Sequence, residues 1–115
     1  MQSDAPALLW DALQAATLIR QFVTGRDWDG YATDSMLRSA VERQFEIIGE
    51  AFGRLRRIDP DVADRIADLP RIVAFRNVLI HGYASIDDAI VWEVATSRVV
   101  PLIAALTDLL HDTST

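Results

Sequence analysis

The chain has no cysteine, so it can form neither a disulfide nor a thiolate metal site. It has no lysine either, and all 11 of its basic residues are arginine. Its two histidines, His81 and His111, are too few for a histidine-rich metal cluster. No apolar run approaches the roughly 18 residues that a membrane span needs. The opening Met1-Gln2-Ser3-Asp4 lacks the basic start of a secretory signal. These absences predict a cytoplasmic protein with no metal, no cofactor and no membrane. There is no internal repeat, no low-complexity segment and no alternating apolar–polar stretch of the kind a half-buried strand needs. Positive charge is also short, with 17 acidic residues giving a net charge of −6. Free-standing nucleic-acid binders are usually basic, which counts against an extended RNA or DNA surface. A small phosphate site made by a local arginine cluster remains open, since every cation here can make planar, forked contacts.

What the chain does have is helical periodicity. Half of its 115 residues are hydrophobic, enough for one domain, residues 1–115, with a packed core. Asp4 and Pro6 open a first helix whose narrow seam is Ala5, Leu8, Ala12, Ala15, Ile19 and Phe22, ending near Gly25. Arg26 to Thr33 reads as a turn on Asp29-Gly30, with Trp28 and Tyr31 as plugs over one end. Thr33 or Asp34 caps a second helix running to about Arg57, with Leu37, Val41, Phe45, Ile48, Phe52 and Leu55 inward. Gly49 and Gly53 inside it each cost about 1 kcal/mol relative to alanine, and a close helix crossing would account for both. Asp59 to Asp68 is weakly helical. A third helix follows Pro70, from about Arg71 through His81. It is apolar around most of its circumference, which predicts burial between other helices. Ser85-Ile86-Asp87-Asp88 is an S-x-x-D capping sequence for a last helix to about Leu110, kinked by Pro101 near Ser97–Arg98. A polar, frayed tail from His111 completes the chain. The fold class predicted is all-α: an antiparallel up-down bundle of four main helices plus a short one.

The polar residues of the third helix then call for explanation. Arg76-Asn77-Val78-Leu79-Ile80-His81-Gly82-Tyr83 sets an arginine, an amide, an imidazole and a phenol within eight positions. On a helix Asn77 and His81 (i, i+4) share a face, and Arg76 and Tyr83 nearly share the neighbouring one. Gly82 suits a helix C-terminus, which leaves His81 in the last turn, where the helix dipole favours a cation. A fixed cation, a titratable group and two hydrogen-bonding groups suit a phosphodiester. On the second helix Glu42, Glu46 and Glu50 form a stripe at four-residue spacing. It is either a solvated face or a source of one carboxylate, Glu42 or Glu50, to pair with Arg76.

RNVLIHGY resembles the R-x4-6-H motif of HEPN domains, in the R-N-x-x-x-H-x-Y form of the HepT-like toxins. Glu42-Arg43 through Ile48-Gly49-Glu50-Ala51 resembles the family's E-R-x-x-x-x-I-G-E-A segment. Tyr83-Ala84-Ser85-Ile86-Asp87 with Val91-Trp92 resembles its Y-x-x-I-D and V-W segment, and Pro101-Leu102 its P-L. One departure is Arg71, where the family often has tryptophan. The resemblance implies a HEPN-like bundle acting as a metal-independent endoribonuclease toxin on RNA. It implies a homodimer with the two motifs facing each other, and Arg76, Asn77 and His81 as catalytic residues. It further implies a minimal nucleotidyltransferase antitoxin that transfers AMP to Tyr83. The competing expectation is a non-enzymatic interaction subunit that docks the nucleotidyltransferase and presents Tyr83 to it.

Overall fold

Short acidic side chains fix where most helices begin. In the computed structural model, which describes residues 4–82 and 86–113, four aspartates accept hydrogen bonds from backbone N–H groups at helix starts. Asp27 takes Gly30 N at 2.8 Å, Asp34 takes Leu37 N at 3.0 Å, Asp59 takes Val62 N at 3.3 Å and Asp87 takes Ala89 N at 3.0 Å. Each satisfies a donor that the helix itself leaves orphaned. Two further helices begin instead with a proline in the first turn, Pro6 and Pro70, and no side-chain cap bond. The described residues give α1 (Ala5–Val23), α2 (Trp28–Ala32), α3 (Ser35–Ile58), α4 (Pro60–Ala63), α5 (Leu69–His81), α6 (Asp88–Ser97) and α7 (Val99–Thr113), with no strand.

The all-α class is as the periodicity predicts, with three local differences. Arg26 to Thr33 holds a short helix, α2, so there are two short helices rather than one. The N-cap of α6 is Asp87; Ser85, the cap expected from the S-x-x-D pattern, lies outside the described residues. The helix expected to fray at His111 runs to Thr113, where Asp112 holds Arg65 at 2.7 Å. The kink falls where expected. α6 and α7 are bent by 48° at Arg98, because Pro101 has no N–H to give the carbonyl of Ser97.

The packing order is α7, α1, α3, α5, with α1 between α7 and α3 and with α5 laid chiefly on α3. Buried Ala5, Ala12, Ala15 and Ala16 let the neighbours of α1 approach closely. The whole expected seam of α3, from Leu37 to Leu55, is buried. The result is a slab with extents of 44 × 29 × 19 Å. This order overturns the expected burial of the apolar third helix between others. α5 is an edge helix: it buries Leu69, Ile72 and Leu79 and leaves Val78 49% exposed. Among the described residues no single helix is long and apolar enough to cross a membrane.

At one end of the slab Tyr31 is wholly buried, its ring 5.2 Å from that of Trp92, while Trp28 remains 40% exposed. The Tyr31 hydroxyl has no hydrogen-bond partner among the described residues. Burial, aided by the nearby carboxylates of Glu42 and Asp88, holds its ionisation well above the usual phenol range. A buried hydroxyl without a partner costs roughly 1–3 kcal/mol. Tyr31→Phe keeps the ring and removes that cost, so it should raise stability by about 1 kcal/mol in thermal or urea unfolding.

Candidate active site

The site begins where α5 crosses α3. A Cβ added to Gly49 would lie within 2.8 Å of Arg76 Cδ, and closer still to its Cβ. Only glycine lets the arginine stem lie against the α3 backbone. Phe45 and Phe75 pack edge-to-face alongside, with ring centroids 5.2 Å apart. An edge-to-face ring pair and a glycine notch therefore fix the register of α5 on α3. The expected close crossing accounts for Gly49 but not for Gly53, whose added Cβ would meet nothing within 4 Å.

Arg76 is half-buried, and its buried Nε–H has no partner among the described residues. Among the described residues it forms no ion pair with Glu42 or Glu50. The two glutamates have different surroundings. Glu50 borders a groove of about 350 Å³ that Gly49, Gly53, Arg54, Arg56, Arg57, Val73, Arg76 and Asn77 also line. Glu42 lies two turns away, about 12 Å along the helix axis. There burial raises its carboxyl above the usual range, helped by Asp88 and Glu46 and opposed by Arg38. Glu46 itself pairs with Arg43 at 3.8 Å.

Asn77 lines the groove beside Arg76, and His81 stands one turn further along α5; both are exposed. The helix thus presents the guanidinium, amide and imidazole together at the edge of the slab. Gly82 is the C-cap, its N–H donating to the Val78 carbonyl at 2.8 Å. Gly82 thus ends the helix as expected, although its φ of −116° is open to any residue. Tyr83 lies outside the described residues. Arg54, Arg56 and Arg57 of the groove were not singled out in the sequence. Their one available signal was the spacing of Gly49, Gly53 and Arg57, four apart on one helix face. Among the described residues no group of three His, Asp or Glu side chains is placed to hold a metal ion.

A family model described as Ribonuclease HepT-like matches residues 12–109. The chain belongs to the HepT-like ribonuclease family. Its relatives include a provisionally named RNase of Methanocaldococcus jannaschii, 35% identical over 84% of this chain and 87% of that protein. A second such protein from the same organism is 31% identical over 80% of this chain and 78% of its own. A Thermococcus cleftensis protein, provisionally named ribonuclease HepT, is 28% identical over 82% of this chain and 84% of its own. No solved structure gives a significant match. Half-buried Arg76 is a permanent cation, and exposed Asn77 and His81 supply an amide and an imidazole beside it on α5.

Two stability measurements check this geometry. Gly53→Ala meets no atom and gains helix propensity, so it should stabilise the fold by up to about 1 kcal/mol. Gly49→Ala has the same propensity gain but must displace Arg76, so it should destabilise by roughly 1–3 kcal/mol. The Glu42 environment predicts a pH effect. A raised carboxyl favours the protonated form in the folded state, so stability is lost as pH rises from the ordinary glutamate value through the raised one. Glu42→Gln should therefore raise the melting temperature at neutral pH, and the gain should fade towards about pH 4, where glutamate is largely protonated in both states.

Proposed function

We propose that the chain is a metal-independent endoribonuclease toxin, acting on RNA in the cytoplasm as a homodimer through Arg76, Asn77 and His81. The observation that carries this is Arg76 held at the crossing of α5 on α3, with Asn77 and His81 exposed further along the same edge helix, beside a groove lined by arginines, in a chain of the HepT-like ribonuclease family. Cleavage without metal needs a base to take the proton of a ribose 2′-OH as its oxygen bonds to the adjacent phosphorus. It needs an acid to protonate the 5′-oxygen as the P–O5′ bond breaks, and a cation for the crowded phosphorane between. Arg76 fills the last role. Each chain has one histidine in the motif, so two protomers are needed for imidazole to fill the other two.

A dimer through α5 is supported by the same features. The outer face of that helix carries exposed Val78 one turn from exposed His81. A two-fold axis near α5 would cover Val78 and bring the two His81 side chains towards each other. The proposed control is AMP transfer to Tyr83 by a nucleotidyltransferase antitoxin. A nucleotide two residues from His81 adds bulk and negative charge beside the phosphate site.

Incubating purified protein with RNA in excess chelator tests the nuclease. Wild type should cleave, and Arg76→Ala and His81→Ala should each lose at least about 100-fold in rate. Sedimentation should show a dimer that Val78→Glu converts to monomer with loss of cleavage. Wild-type RNA left intact, with Tyr83 still modified by the nucleotidyltransferase, would instead establish the non-enzymatic docking subunit.

A further inference from the structure

Arg54, Arg56, Arg57 and Arg76 are four of the eleven arginines of this acidic chain, and all four line one groove. A single carboxylate, Glu50, shares it. Among the described residues none of the four forms an ion pair; of the seven arginines elsewhere, Arg26, Arg38, Arg43, Arg65 and Arg98 do and Arg20 and Arg71 do not. Arg56 and Arg57 sit in the last turn of α3, where the helix dipole favours cations. That accounts for two of the four and leaves Arg54 and Arg76 without such a reason. Gly53 is the second observation. It lies in the interior of α3 and lines the groove, and beyond its chain neighbours and the local helix backbone nothing stands within 4 Å of where its Cβ would be. The glycine serves no helix crossing, and it keeps the groove open at the level of Val73 and Asn77, where a ligand backbone can approach closely.

We infer that this groove is a phosphate track, binding the single-stranded RNA backbone that adjoins the scissile phosphodiester. It rests on the ribonuclease reading above and extends it. Asn77 and Arg76 belong to both regions, so a strand lying along Gly53, Arg54 and Arg57 leads directly towards His81. Forked guanidiniums suit successive phosphates and carry no base preference, so the track sets affinity and not sequence. The acidic remainder of the surface confines the attraction to the groove.

The test uses the full chain and a 12-nucleotide RNA with 2′-O-methyl groups, which cannot be cleaved, so binding is read independently of catalysis. Fluorescence anisotropy would be titrated across salt for wild type, Arg54→Ala/Arg57→Ala, Gly53→Gln and, as a charge-matched control, Arg20→Ala/Arg71→Ala. The groove double variant should weaken binding at least tenfold and reduce the log–log salt slope by about 1.4, or roughly 0.7 for each phosphate no longer neutralised. Gly53→Gln, which fills the groove without changing charge, should weaken binding with the slope less affected. Unfolding curves establish that each variant is folded. Equal losses in the groove and control variants, or an unchanged Gly53→Gln, overturn the track. So does displacement of the oligonucleotide by AMP or inorganic phosphate at its own affinity, which marks a mononucleotide site, or tighter binding of polyglutamate than of RNA. Normal binding by His81→Ala together with undiminished RNA cleavage by that variant defeats the ribonuclease reading alone and leaves the track standing.

Discussion

The contact between Gly49 and the stem of Arg76 is the constraint on which the site depends. Arginine loses roughly 2 kcal/mol of rotamer freedom when it is held in one conformation. Laying its aliphatic stem on bare backbone removes that freedom during folding, before any ligand arrives. The arrangement has costs that are visible in the structure. A glycine stands inside a 24-residue helix, and a buried Nε–H has no partner among the described residues. Features of this kind collect where structure is shaped by function more than by stability. The Phe45–Phe75 stack beside the notch keeps α5 from sliding on α3. Asn77 and His81 inherit their positions from that fixed register, being one residue and five residues further along the same rigid helix.

Placing the motif on an edge helix reconciles two opposed demands. A titratable side chain and a guanidinium need rigid support, which the α3 crossing supplies. A polymer substrate needs an open approach, which a helix buried on all sides cannot give. α5 meets both demands by burying one face and leaving the other to solvent or to a second chain.

Much of this was legible in the sequence, because the signals are local. The α3 seam from Leu37 to Leu55, the Asp34 cap and the Pro101 kink each follow from spacing or backbone chemistry within a few residues. The motif residues on α5 were legible for the same reason. Other features depended on tertiary placement. Periodicity reported that α5 is apolar nearly all round, but not that it would lie chiefly on α3 at the edge of the slab. The spacing of Glu42, Glu46 and Glu50 gave a shared stripe, yet two turns of helix put its ends in unlike surroundings, one against Tyr31 and Asp88 and the other on the arginine groove. Gly49 and Gly53 looked equivalent, and only the crossing point on α5 separates a packing glycine from one that faces open space.

The charge distribution gives net charge a different meaning here. A value of −6 spread evenly would repel RNA at every approach, and it underlies the expectation against an extended nucleic-acid surface. Charges interact strongly only within about a Debye length, near 8 Å at physiological salt. Four guanidiniums around a groove of about 350 Å³ therefore dominate the field inside it, whatever the far side of the slab carries. Acidic residues elsewhere then act against loose binding along the rest of the surface. On the proposed track, a phosphate chain is held over a few nucleotides and released beyond them. For an enzyme that cuts one bond, weak hold on the flanking strand favours product release, which general basicity would slow.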